Sequence, residues 1–247
     1  MSSVPSLFCA ETPVARVAAP VVAGCTGVTT TAWPGRKAVA IELRGCNLSC
    51  PYCFCPELLG TRRSELSLTR VIEQIERDRE RIDGVVITGG EPTVDSNLMS
   101  ITRRLASLRV PVKLDTNGTF PGVLEALLEE RLVTFIALDV KTTPERYDSV
   151  TRSTGMWERV RRSIALLVAS DVDHEFRTTC YPSALQSADL PRIARELEGG
   201  RRYAIQQFRP QRTLDPGAST VRPFEADVLR RAALCCAVHI PTVVRGV

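Results

Sequence analysis

The chain has 247 residues, 44% hydrophobic and 24% charged. That is the balance of a globular protein large enough for one substantial core. No stretch approaches the roughly 20 apolar residues that cross a bilayer, so no membrane association is expected. The formal net charge of +4, dominated by arginine, comes without a nucleic-acid recognition motif, and nucleic acid is not expected as a partner.

Residues 1–35 read as an irregular N-terminal extension, punctuated by Gly24, Gly27, Pro34 and Gly35. Within it, residues 28–32 offer a short strand, and residues 36–247 are expected to form a single domain. Residues 14–22 are mildly apolar but follow Glu11 and lack a basic leader, so no secretory signal is expected. Residues 37–43 predict a strand, and a cysteine-rich loop follows. Ser67 stands where it can cap a helix whose Leu68, Val71, Ile72 and Ile75 share one face.

A strand–helix rhythm then continues. Strands are predicted at 84–87, 110–114, 133–138, 174–179 and 203–208, with a last one at 239–244. Helices are predicted at 98–108, 123–132, 157–169, 185–197 and 223–238. Short apolar strands without polar alternation, separated by amphipathic helices, predict an α/β fold with a mainly parallel sheet covered by helices. The element count suits a partial or full barrel, or a doubly wound sheet. In both, sites form where strands end. Glycine and polar residues gather there: Thr88-Gly89-Gly90-Glu91-Pro92, Asp115-Thr116-Asn117-Gly118 and Asp139-Val140-Lys141.

Nine cysteines, an odd number in a chain without a secretory signal, argue against a disulfide scaffold and for a reducing cytoplasm. Three of them, Cys46, Cys50 and Cys53, form a C-x3-C-x2-C run directly after the first predicted strand. Zinc would want a fourth ligand, for which Cys55, Cys180 and Cys235 are the candidates. An iron–sulfur cluster suits three thiolates on one short loop. Three thiols within eight residues are a poor match to unpaired core cysteines.

Arg44-Gly45-Cys46-Asn47-Leu48-Ser49-Cys50-Pro51-Tyr52-Cys53 resembles the signature of radical S-adenosylmethionine (radical SAM) enzymes. The resemblance implies a partial (β/α)6 barrel. It also implies a [4Fe-4S] cluster on Cys46, Cys50 and Cys53, with S-adenosylmethionine on the fourth iron, cleaved to methionine and a 5′-deoxyadenosyl radical. Tyr52 would lie near the adenine. Gly89, Gly90, Glu91 and Pro92 match the stretch that contacts the methionyl amino group.

Within that family, several stretches resemble the activating enzymes of glycyl-radical enzymes, especially the anaerobic ribonucleoside-triphosphate reductase activating proteins. They are Trp33-Pro34-Gly35, Pro56-Glu57-Leu58, the Asp115–Gly118 turn with Asn117, Asp139-Val140-Lys141, Arg177-Thr178-Thr179 and Gln207-Phe208-Arg209-Pro210. This resemblance implies a monovalent cation near Asp115, Thr116 and Asp139, with Lys141 fixing that site. It further implies a glycyl-radical enzyme as partner and an electron donor such as flavodoxin or ferredoxin. Arg62, Arg63, Arg104, Arg177 and Arg209 are candidates to line a groove for the partner.

Phe54 and Cys55 depart from the histidine and asparagine usual after the third cysteine, and Cys55 reads as a small half-buried residue. The alternatives are a radical SAM enzyme acting on a small molecule of the 7-deazaguanine type or on a peptide, and a non-enzymatic zinc-binding protein. The last leaves the Gly-Gly-Glu-Pro and Asp-Thr-Asn-Gly turns unexplained.

Overall fold

A computed structural model describes residues 22–60 and 66–247. Cys9, the apolar segment up to residue 21, and Arg62 and Arg63 lie outside the described residues.

Eight strands form one sheet in sequence order. β1 (Val22–Cys25) runs antiparallel to β2 (Ala38–Leu43). From β2 onward every pairing is parallel, through β3 (Gly84–Gly89), β4 (Val112–Thr116), β5 (Phe135–Asp139), β6 (Asp173–Cys180), β7 (Tyr203–Gln207) and β8 (Thr242–Arg245). Helices follow the strands as α1 (Leu68–Asp78), α2 (Leu98–Ser107), α3 (Pro121–Glu129), α4 (Tyr147–Thr151), α5 (Met156–Ala169), α6 (Asp189–Glu196) and α7 (Ala226–Cys236). β2 to β7 are thus six parallel βα units, the partial barrel that was expected, with β1 and β8 as open edges. No helix among the described residues is long and apolar enough to cross a membrane.

Two expectations are corrected. The N-terminal strand is Val22–Cys25, while residues 28–32 contribute only the bridge between Thr29 and Ala38. Four residues that include Gly24 carry too little pattern to be read, yet the free edge of β2 accepts them. α4 is a single five-residue helix between β5 and α5, too short for a periodic signal. Elsewhere the boundaries move by a few residues. Pro121 starts α3, the position where its missing N–H costs nothing. Ser67 does occupy the N-cap of α1, without a side-chain bond.

The two faces of the sheet do different work. The outer face and the helices enclose the main core, including Ile41, Ile87, Leu114, Ile136, Leu138, Phe176 and Ile205. The inner face is apolar along most of β2, β3 and β5. There Ala38, Ala40, Val86, Phe135 and Ala137 are sealed by Trp33, whose ring lies 5.8 Å from that of Phe135. On the same face period-2 alternation places Lys113 level with Val86 and Phe135, and Asp115 and Glu175 level with Ala137, while Asp139 and Arg177 pair one step further along. The interior therefore carries its charge on β4, β6 and the end of β5.

Candidate functional site

A cavity of about 450 Å³ opens at the C-terminal ends of the strands. Its lining includes Cys46, Cys50, Tyr52 and Cys53 from the loop after β2, and Gly89, Gly90 and Glu91 at the end of β3. Asp115, Thr116 and Asn117 join them at the end of β4, and Asp139 and Lys141 at the end of β5. Four separate βα connections thus bring together every predicted site residue except Pro92, which starts a short helical turn buried behind Glu91.

The cysteine loop is held from several sides. Gly45 N–H donates to the Leu58 carbonyl at 2.8 Å, Ser49 N–H to Thr151 at 3.0 Å, and Asp215 N–H to Pro51 at 2.9 Å. Arg44 donates to the Glu57 carbonyl, and Asn47 Nδ2 to Thr119 Oγ1 at 2.9 Å. The Tyr52 hydroxyl donates to the Lys141 carbonyl at 3.3 Å, and its ring packs 5.0 Å from that of Tyr181. All three thiols are free. The Leu48 N–H points at Cys46 Sγ from 3.4 Å. Burial pushes the Cys46 thiol up to about 11 and raises that of Cys50 as well. Among the described residues no three His, Cys, Asp or Glu side chains close on a single metal-ion position.

Gly89 and Gly90 serve the chain's own backbone. A Cβ at Gly89, where φ is +129°, would overlap the backbone of Leu43, and one at Gly90 would overlap the Gly45 carbonyl. Gly90 N–H donates to Leu43 and Glu91 N–H to Gly45 at 2.7 Å. The glycines therefore let the turn after β3 lie directly against the root of the cysteine loop. The group that approaches Gly89 and Gly90 is the root of the neighbouring cysteine loop.

Glu91 is 1% exposed. Its Oε1 accepts from Thr93 N–H at 3.0 Å, from the Thr93 hydroxyl, and from Thr116 Oγ1 at 2.7 Å, while Oε2 accepts from Asn117 N–H. Burial pushes this carboxyl above its ordinary range, against the pull of the four donors. One buried side chain thereby joins the turns after β3 and β4.

Deeper in the cavity lies an ion network. Arg177 on β6 reaches both carboxylates, Nε to Asp139 Oδ1 at 2.7 Å and Nη1 to Asp115 Oδ1 at 3.1 Å. Lys141 Nζ pairs with Asp139 Oδ2 at 2.9 Å, and Lys113 Nζ with Asp115 at 2.8 Å. Burial works to raise Asp139, but Arg177 and Lys141 overcome it and hold the carboxyl at about 2. Behind them Arg245 forms a two-bond pair with buried Glu175, both contacts at 2.8 Å.

Of the basic residues considered for a groove, Arg177 and Arg209 line the cavity. Arg104 instead sits on α2 beside Glu76, at 4.0 Å. Cys55 and Phe54 also line the cavity. Burial, with Glu57 nearby, pushes the Cys55 thiol up to about 11. The sequence reading missed Gln206 and the Glu175–Arg245 pair. Charged residues at every second position of a strand buried on both sides were the available signal for Glu175.

The sequence profile of the Radical SAM superfamily matches residues 43–183, from the end of β2 to just past β6. A Methanocaldococcus jannaschii protein, named provisionally as a glycyl-radical enzyme activating enzyme, is 31% identical over 199 residues. The match covers 78% of this chain and 82% of that protein. The 7-carboxy-7-deazaguanine synthase of Aquifex aeolicus is 38% identical over 85 residues, 34% of this chain and 38% of the synthase. Among solved structures, Streptococcus suis SuiB superposes with a TM-score of 0.65 at 13% identity, covering 82% of this chain and 47% of SuiB. QueE from Escherichia coli gives a TM-score of 0.53 at 17% identity, covering 93% of this chain and 94% of QueE. At these identities the structural likeness concerns the fold. The chain spans about half the length of SuiB and little more than a third of the Aquifex synthase.

Proposed function

The chain belongs to the radical SAM superfamily and is an enzyme of oxidoreductase type, and we propose that it generates a glycyl radical on a partner protein. The reading of the sequence as a non-enzymatic zinc protein is overturned by that membership. The donor set fits a cluster. Three free thiols from one short loop border one cavity, the donor set that an iron–sulfur cluster takes. Cys46, Cys50 and Cys53 would hold a [4Fe-4S] cluster, leaving one iron for S-adenosylmethionine. When bound, the reduced cluster supplies the electron that cleaves the cofactor to a radical.

The chain's own residues position the cofactor. Tyr52, fixed by its bond to the Lys141 carbonyl, offers a ring for the adenine. Gly89 and Gly90 offer backbone carbonyls to the methionyl ammonium, while Glu91, bonded to Thr93, Thr116 and Asn117, and Pro92 behind it hold that turn in place. Asp115, Thr116 and Asn117 with Asp139 and Lys141 form the opposite wall. Leu48, Tyr181, Ala184 and Phe208 pack around Cys50 and Tyr52 and keep water from that side. At the rim stand exposed Phe54, with Arg212 stacked 5.7 Å from its ring centre, and Arg209. A loop of a partner protein would meet these groups first.

The observation that carries the activase reading is the Methanocaldococcus relative, matched along most of both chains. An electron donor such as flavodoxin or ferredoxin would complete the system. A small-molecule substrate of the 7-deazaguanine type is the second reading, supported by the higher identity of the shorter Aquifex match.

Anaerobic reconstitution is expected to give a brown protein with about four irons per chain, which forms 5′-deoxyadenosine when reduced with S-adenosylmethionine. Mixed with glycyl-radical proteins of the source organism, it is expected to produce the doublet electron-paramagnetic signal of a glycyl radical. Cofactor cleavage without that signal on any of them, but with turnover of a deazaguanine precursor, would move the assignment to the second reading. Bound zinc without iron–sulfur absorbance would refute both.

A further inference from the structure

A closed ring of hydrogen bonds joins the turn after β4 to the cysteine loop. Asn117 Nδ2 donates to Asn47 Oδ1 at 3.0 Å, Asn47 Nδ2 to Thr119 Oγ1 at 2.9 Å, and the Thr119 hydroxyl to Asn117 Oδ1 at 2.6 Å. The backbone fixes the direction of the ring, because the Thr119 N–H also donates to Asn117 Oδ1, at 3.0 Å. Turning the amide over would set its nitrogen against that N–H, so the oxygen faces Thr119 and the nitrogen faces away. Thr119 is 0% exposed and Asn117 5%, so water offers no substitute partners.

The ring occupies one N–H of Asn117 Nδ2. The other is directed at Cys46 Sγ, 4.0 Å away, and the Leu48 N–H approaches the same sulfur at 3.4 Å. Among the described residues, Cys46 is the only thiol of the run toward which a side chain donates. We infer that the Asn117–Asn47–Thr119 ring positions this amide on Cys46 and thereby raises the reduction potential of the cluster that Cys46 would hold. A donor on a ligating sulfur favours the reduced cluster, which carries one more negative charge than the oxidised one. Thr119 is a positioning residue, since it acts only by leaving Asn117 a single orientation. A ring that served only to brace the loop would leave the potential where it is. The inference rests on the cluster reading above.

The test is a redox titration of the reconstituted protein without S-adenosylmethionine, followed by the electron-paramagnetic signal of the reduced cluster. Asn117→Leu removes the amide at similar volume. At a fixed solution potential its ratio of reduced to oxidised cluster is expected to fall about tenfold, a shift of about 59 mV to more negative potential for one electron. Thr119→Val keeps the Asn117 amide but removes the hydroxyl that orients it, and a shift of about threefold in the same direction is expected. Electron–nuclear double resonance on wild type grown with asparagine labelled with nitrogen-15 at the side-chain amide is expected to show a coupled nitrogen, which Asn117→Leu loses.

An Asn117→Leu ratio within about twofold of wild type overturns the inference, as does a wild-type cluster without the coupled nitrogen. A shift in Asn117→Leu with none in Thr119→Val overturns the role given to the ring. The wild-type coupling decides by itself should a variant fail to fold or to take up iron. Wild type that takes up no iron refutes the cluster reading itself, an outcome told apart by iron content before any potential is measured.

Discussion

Removing the Glu91 carboxylate tests whether one buried side chain holds two turns of the site together. In Glu91→Ala the backbone N–H groups of Thr93 and Asn117 lose their acceptor in a place water does not reach. Each orphaned buried donor costs about 1–3 kcal/mol. The hydroxyls of Thr93 and Thr116 can rotate to other acceptors and add little. The sum is about 4 kcal/mol, which for a chain of this size lowers the melting temperature by about 8–16 °C. Glu91→Gln keeps the three bonds to Oε1 but sets an amide donor against the Asn117 N–H. It also relieves the burial that raises this carboxyl, so it is expected to cost about half as much or less. Urea unfolding followed by circular dichroism, on cluster-loaded and cluster-free protein, measures both. An unchanged slope is needed to compare midpoints. Glu91→Ala within about 1 kcal/mol of wild type would show that the carboxylate does not tie the turns. Glu91→Gln as costly as Glu91→Ala would show that the charge, rather than the hydrogen bonds, is what the site requires.

Gly89→Ala must adopt φ near +129° and place a Cβ into the Leu43 backbone, so it is expected to lose about 3 kcal/mol or more; a urea midpoint equal to wild type would contradict the packing described. Arg245→Leu strips the two-bond partner from Glu175, which is 2% exposed, and is expected to cost about 3–5 kcal/mol. Adding Glu175→Gln should recover most of it in the same assay, and no recovery would refute the charge argument. Asp139 is held at about 2 in the folded protein, below its unfolded value, so its contribution is present above about pH 4 and is lost as pH falls toward 2. The difference is about 2 kcal/mol, and Asp139→Asn is expected to flatten that part of the acid-stability curve.

The parallel sheet was legible because its physics is local. Strands buried on both sides must be short and apolar, and the helices between them must repeat at 3.6 residues. The cysteine run and the glycine turn were legible because their chemistry needs fixed residue types at fixed spacing. β1 and α4 were not, since four- and five-residue elements form only where a neighbour already offers an edge or a surface.

By itself the sequence determined the strand-end turns, the three thiols and the family. Tertiary structure alone decided what those residues face. It turned Gly89 and Gly90 toward the cysteine loop, made Glu91 the tie between two turns, and carried Arg177 to carboxylates 38 and 62 positions away. Pairs across a barrel depend on strand register and on which face each strand turns inward. Those quantities exist only once all the strands have met, so no spacing along the chain records them.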